Sequence, residues 1–404
     1  MERHDPWHHR GSPAAPGRRT LLRAGGAGAV ALGGLGAFAA CGAPPAGRTG
    51  GQEAAAEDRS ATERALVFSN RTGYLDVGED RHSRPTLDAF RRRTGIDVAY
   101  AEDIDDNAEF FGKVGKRLAA GQDTGRDLIC VTDRMAGRMI RLGWAQRLDA
   151  AHLPHAFANL APGFRAPDWD PGRVHSYPWT GIPALIAYNR KATGGRTVDS
   201  VSQLLEDPRL KGRVGLLREM RDTVGLTLLD MGKNPEHVTA EDHAAAIARL
   251  RGAVDRRQIR RFTGDDYTGD LNRGDIAACI ARAGDLVQLQ ADNPDIRYAI
   301  PDAGYLLSSD NLLVPQQARH KRNAERLIDY YYQPEVAARL AAAIHHVSPV
   351  VGLREELAKI DKDLADNPLI IPSEAMAAKA HAFRLLTPAE DKAFESAFAQ
   401  LTGA

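Results

Sequence analysis

Few residues in this 404-residue chain are placed to do covalent chemistry. Cys130 and Cys279 each stand inside a short apolar run, Leu128-Ile129-Cys130-Val131 and Ile276-Ala277-Ala278-Cys279-Ile280. Such thiols read as buried strand residues rather than as a disulfide. His345-His346 is a lone pair in an apolar stretch, read as structural or pocket-lining. No Cys or His spacing matches a metal site. The sequence has no phosphate-cradling Walker loop, no Gly-x-Ser-x-Gly elbow and no His-Glu-x-x-His helix. No cofactor, metal or enzymatic activity is therefore expected. The residues point to a binding protein, with a secreted hydrolase or oxidoreductase as the weaker alternative.

The clearest modification signals lie at the N-terminus. Paired Arg18-Arg19 precede Leu21-Leu22, and Ala24 to Ala40 carries no charge. An Arg-rich start, a short apolar run and a small-residue end are the parts of an export signal, here of twin-arginine type. The run closes on Phe38-Ala39-Ala40-Cys41-Gly42, which is similar to the lipobox whose Cys is lipidated. Residues 1–40 form the expected signal. Residues 41–65, short of large apolar side chains, form a flexible tether on a lipid at Cys41. The chain balances 53 Lys and Arg against 53 Asp and Glu, but the signal alone is net +3, leaving the remainder at −3. With no overall basic excess, a dedicated nucleic-acid binder is not expected.

The elements that must position a site begin at Leu66. Eight short apolar strands are expected: 66–69, 96–100, 128–132, 184–188, 214–217, 276–281, 296–300 and 312–314. Short, mostly apolar strands without clean alternation read as buried on both faces, the α/β pattern. Between them, Phe111, Val114 and Leu118 share one helical face, as do Ala324, Leu327, Ile328 and Tyr331. Gly95 stops the helix that holds Leu87 and Phe90. Thr387-Pro388-Ala389-Glu390 is a capping box, opening a helix whose Phe394, Phe398 and Leu401 form a packing stripe.

Taken in order, local patterns resemble one family. Ser69-Asn70-Arg71-Thr72-Gly73-Tyr74 follows the first strand. Phe90 to Val98, Asn107, Gly121, Asp127-Leu128-Ile129, Tyr177-Pro178-Trp179 and Ala187-Tyr188-Asn189 come next. Met220-Arg221-Asp222-Thr223, Gly274-Asp275, Gly284-Asp285, Ser309-Asp310-Asn311 and Asn323 to Pro334 complete the series. The series resembles the spermidine/putrescine-binding branch of the extracytoplasmic solute-binding proteins of ABC importers, of the actinobacterial lipoprotein type. The resemblance implies a two-lobed periplasmic-binding-protein fold of type II, α/β, with a cleft between lobes joined by two crossing segments. Lobe one is expected at 66–180 plus about 305–404, and lobe two at 185–300. The crossings fall near Thr180–Ile186 and Pro301–Asp310.

The resemblance also implies a function and a pocket. The chain is expected to be a monomer on the outer face of the cytoplasmic membrane. It would hand a polyamine or other charged solute to a permease driven by its ATPase. A sensor that binds without transporting is an alternative. Carboxylates for ammonium ends fall at Asp133, Glu219, Asp222, Asp285 and Asp310, with Asp310 the clearest match. Thr72, Tyr74 and Trp179 match polar and aromatic contacts, where a ring face attracts a cation by about 0.5–2 kcal/mol. The family's tryptophans are missing: Arg71, Arg282, Ser308 and, by comparison with near relatives, Arg134 stand in their places. Those arginines imply either side chains turned outward or a cleft altered for an anionic or zwitterionic solute.

Overall fold

The computed structural model describes residues 55–104, 107–264 and 266–403. The export signal, Arg18, Arg19 and Cys41 lie outside the described residues. Among the described residues, ten strands form one continuous sheet. They are β1 (Ala65–Asn70), β2 (Asp97–Glu102), β3 (Leu128–Thr132), β4 (Ser176–Asn189), β5 (Val214–Leu217), β6 (Ile259–Thr263), β7 (Ala278–Arg282), β8 (Ile296–Ala299), β9 (Tyr305–Leu313) and β10 (Ala380–His381). The order is β2-β1-β3-β9-β4-β7-β5-β6, with β8 on β4 and β10 on β9.

The sheet changes character at its middle. β1 pairs in parallel with β2 and β3, and β5 in parallel with β6 and β7. Each group is a run of strands linked through helices, which is how parallel strands must connect. Between the groups, β4 and β9 run antiparallel from Ser176↔Leu313 to Ala184↔Leu306. At one end of this ribbon β9 pairs with β3; at the other β4 pairs with β7. The ribbon thus forms both crossings, and the apolar core divides across it. Tyr177 and Trp179 belong to the core beneath β1 and β3, whereas Ala184 to Tyr188 belong to the core around β5 and β7.

Several elements depart from their expected bounds for identifiable reasons. β9 is nine residues long where three were expected, because its first part includes the polar run Ser308-Ser309-Asp310-Asn311 beside the cleft. β6 was missed: it is a sheet-edge strand carrying Arg260 and Arg261. In the Asn107–Ala119 helix, Phe110 is the buried ring, while Phe111 is half-buried and stacks on Trp144 at 5.3 Å. The 324–331 stripe, the Gly95 stop at φ 68° and the Thr387 capping box are all present.

Two stretches pack otherwise than expected. Residues 56–64 lie against 316–323 instead of hanging free. Asp58 Oδ2 accepts from Arg322 N at 3.3 Å and Ser60 Oγ from Asn323 N at 3.1 Å. These serve N–H groups at the start of the Lys321–Tyr331 helix, whose own cap residue, His320, supplies no side-chain acceptor. The C-terminal part from Leu353 to Leu401 joins the second core, not the first. Phe394 stacks on His243 at 3.9 Å, and the Pro388–Thr402 helix packs on the Ala240–Asp255 helix.

Candidate functional site

A cleft of about 2160 Å³, counted with the solvent at its mouth, opens beside the β4–β9 ribbon. Its walls come from loop and helix starts that follow strands: 71–74 after β1, 132–138 after β3, 219–222 after β5 and 282–285 after β7. These are the strand-end positions at which α/β proteins gather ligand-binding groups. The ribbon supplies Gly181, Ile182 and Leu306 to Ser308 as well as Asp310. Gly181 permits close packing, since a Cβ there would stand 2.6 Å from the Phe164 ring.

Eleven of the twelve pocket residues read from the sequence line this cleft. The twelfth, Trp179, is a correction. It is 4% exposed, packed at 4.7 Å on Tyr331 and 5.8 Å on Phe68, with its Nε1 donating to the Tyr74 carbonyl at 3.1 Å. A large ring on the core side of the ribbon is buried for its area, so Trp179 supports Tyr74 from behind.

Each acid meets partners within the chain. Asp310 is fully buried. Its Oδ2 accepts from the Tyr74 hydroxyl at 2.7 Å and lies 3.7 Å from Arg71 Nε, while Oδ1 has no hydrogen-bond partner. Burial and the Asp310 charge push the Tyr74 hydroxyl well up, so it stays protonated and donates. Asp133 braces β9: it accepts from Ser309 N at 2.7 Å, Ser309 Oγ at 2.6 Å and Asn311 Nδ2 at 2.8 Å. Burial raises its carboxyl, and those hydrogen bonds pull the other way. Asp222 is 7% exposed and 3.9 Å from Arg282 Nη2; burial pushes it up to about 7. Asp285 Oδ2 accepts from the Tyr267 hydroxyl at 2.5 Å. Glu219 caps the Met220–Asp230 helix by accepting from Arg221 N and is its most exposed acid neighbour.

The arginines are as prominent as the acids. Arg71, Arg134, Arg138, Arg221, Arg282 and Arg384 line the cleft against five carboxylates. Arg134 reaches Asp391 at 2.6 Å and Glu395 at 3.3 Å. Arg221 joins the same two acids from the first turn of the Met220–Asp230 helix, with Glu395 at 2.8 Å. Arg71 lies over the Tyr74 ring at 5.5 Å. Ser308 Oγ donates to the Ile182 carbonyl at 3.3 Å, across the ribbon. Thr72 is exposed at the rim.

The model for bacterial extracellular solute-binding proteins matches residues 86–370, well over half of the chain. The chain belongs to that family. A similar curated protein is the putrescine-binding periplasmic protein PotF of Escherichia coli, 27% identical over 344 residues, covering 81% of this chain and 90% of PotF. Another is spermidine/putrescine-binding periplasmic protein 1 of Haemophilus influenzae, 24% identical, covering 79% of this chain and 86% of that one. The crystal structure of the spermidine/putrescine ABC transporter substrate-binding protein PotD from Streptococcus pneumoniae has the same fold. Its TM-score is 0.71 at 20% identity, with 83% of this chain and 98% of PotD covered.

This solute-binding protein is therefore two-lobed, and its family works by binding a solute rather than by catalysis. No described helix is long and apolar enough to cross a membrane. Among the described residues there is no cluster of three or more His, Cys, Asp or Glu that could hold a metal. Cys130 and Cys279 are buried free thiols. Sequence reasoning missed Arg138, Arg384, Phe383 and Leu385 as cleft residues. The last three reach the cleft because residues 383–385, in the C-terminal part that packs on the second core, pass beside the Asp133–Arg141 helix. Leu385 packs beside Gly137, where a Cβ would stand 2.7 Å away, and Leu386 O accepts from Arg141 Nη1 at 3.1 Å. No local pattern announces such a passage.

Proposed function

We propose that this protein is the ligand-capturing receptor of an ABC importer, holding a short linear solute with at least one ammonium end. The observation that carries the reading is the convergence of five carboxylates and Tyr74 on one cleft at the β4–β9 crossings. Partly buried carboxylates escape the salt screening that weakens exposed ones, so they can select a small cation. Matched relatives are named for putrescine and spermidine, which are linear amines of this kind.

The chain exports through the Arg18-Arg19 signal, carries lipid on Cys41, and works as a monomer against a permease on the outer face of the cytoplasmic membrane. The sequence of residues 17–42 supports the anchor. The receptor runs no reaction of its own and needs no cofactor.

A thermal-shift series with linear diamines, polyamines and amino acids tests the reading. A solute at 100 times its Kd should stabilise the protein by about 2.7 kcal/mol, a readily measured rise in Tm. Asp310→Asn should abolish the rise. A flat melting point across the whole series would count against a receptor for such solutes.

A further inference from the structure

One histidine fastens the arm of residues 56–64 that leads into β1. His320 stands just before the Lys321–Tyr331 helix, with its ring between two carboxylates. Nδ1 lies 2.9 Å from Asp127 Oδ2, and Nε2 lies 2.9 Å from Glu63 Oε2. Asp127 belongs to the body of the fold. Its Oδ2 also accepts from Val67 N in β1 at 2.9 Å, and its Oδ1 accepts from His320 N at 3.1 Å. Glu63 belongs to the arm. The ring therefore joins the arm to the sheet.

An ionised carboxylate only accepts hydrogen bonds. A neutral imidazole carries one N–H and can serve one of these acids, whereas the imidazolium carries two and serves both. The two-sided geometry calls for the charged ring. Burial works against that charge, but the hydrogen bonds to Glu63 and Asp127 and their charges outweigh it, raising His320 above the usual imidazole value. The hydrogen bond from His320 in turn lowers the Glu63 carboxyl. The neighbouring charges are engaged differently. Arg59 pairs with Glu63 at 3.4 Å but is part of the arm itself, so that pair does not dock the arm. Arg319 pairs with Asp123 at 3.3 Å, Lys321 with Glu325 at 3.4 Å, and Asp58 accepts from Arg322 N at 3.3 Å.

We infer that His320 is a protonation-dependent clasp, which fastens the N-terminal arm to the sheet when charged and loosens it when neutral. Loss of the proton leaves one carboxylate facing a ring lone pair. Asp127 is 7% exposed and Glu63 44%, so Glu63, which water can solvate, is the partner that lets go. The contribution of the clasp is fully present below pH 6.5 and is lost as pH rises through the raised value of His320. Once loose, residues 56–64 extend by about 3.5 Å each, which adds roughly 30 Å of reach between the fold and Cys41. That consequence rests on the lipid anchor proposed above; the clasp itself does not.

Amide exchange of the full chain, read as protection factors at about pH 6 and about pH 9, tests the clasp whether or not Cys41 carries lipid. Arg59 N donates to Arg319 O at 2.7 Å, and Arg322 N and Asn323 N donate to Asp58 and Ser60 of the arm. These three amides should lose about two- to fivefold in protection at the higher pH, the range expected of a part-exposed ion pair, while β3 keeps its own. His320→Asn keeps a donor for Asp127 and has none for Glu63, so it should be as loose at pH 6 as the unaltered chain is at pH 9. Glu63→Gln carries an amide that can donate or accept. It should hold the arm at both pH values and return the ring titration of His320, followed by NMR, toward the ordinary 6.5. Equal protection of the unaltered chain at the two pH values would overturn the clasp. So would a pH-dependent loss that persists in both variants.

Discussion

Asp222→Asn offers a quantitative check on the electrostatics of the cleft. The Asp222 side chain is 11% exposed, and burial holds its carboxyl up at about 7 against the opposing pull of Arg282, from an unfolded value of 3.8. The folded pKa is raised, so between those values the native state holds a proton that the unfolded chain has released. Stability is fully present below pH 3.8 and falls as pH rises, levelling off above about 7. Each unit of that window is worth about 1.36 kcal/mol, so from about pH 5.5 to about pH 8.5 this group withdraws ~2 kcal/mol. Asparagine has no proton to lose. The variant's stability relative to the wild type should therefore improve by ~2 kcal/mol over that range, while all other titrations cancel. Urea unfolding at the two pH values measures this directly, provided the slopes with denaturant match. A difference that stays flat, or that shrinks as pH rises, would refute the argument from burial.

Other perturbations separate the roles of neighbouring residues. Arg221→Met should destabilise by about 2–3 kcal/mol, because Asp391 and Glu395 lose a well-buried partner. Arg134→Ala removes a side chain that is 42% exposed and should cost under about 1 kcal/mol by chemical denaturation, despite touching the same two acids. Cys41→Ala should move the expressed protein from the detergent phase to the aqueous phase on Triton partitioning; unchanged partitioning would contradict the lipid anchor.

Much of this fold could be read from the chain because its signals are local. β3 and β5 have the bounds expected from their apolar runs, and the capping box at Thr387 and the glycine stop at 95 depend on neighbours in sequence. β9 was cut short because a strand that lines a cleft carries Ser308, Ser309 and Asp310 where a core strand would carry Val or Ile. The acids of the site could be named but not their partners. Asp310 reaches Tyr74 over 236 positions, and Asp133 reaches Ser309 over 176, distances at which spacing conveys nothing. Trp179 illustrates the converse: its residue type suits a ligand contact, but strand alternation at the Pro178–Thr180 bulge sends the ring into the core. The arginines at 71 and 282 were visible as substitutions. That both line one cleft with His346 is apparent only in three dimensions.

The central claim is that one solute is held between both lobes at the β4–β9 ribbon. Hydrogen exchange of the full chain, with and without the solute that most raises its melting point, tests this most directly. The account predicts slowed exchange at 71–74 and 133–138 from the first lobe together with 220–223 and 282–286 from the second. Protection confined to one lobe, or lying away from these segments, would contradict it.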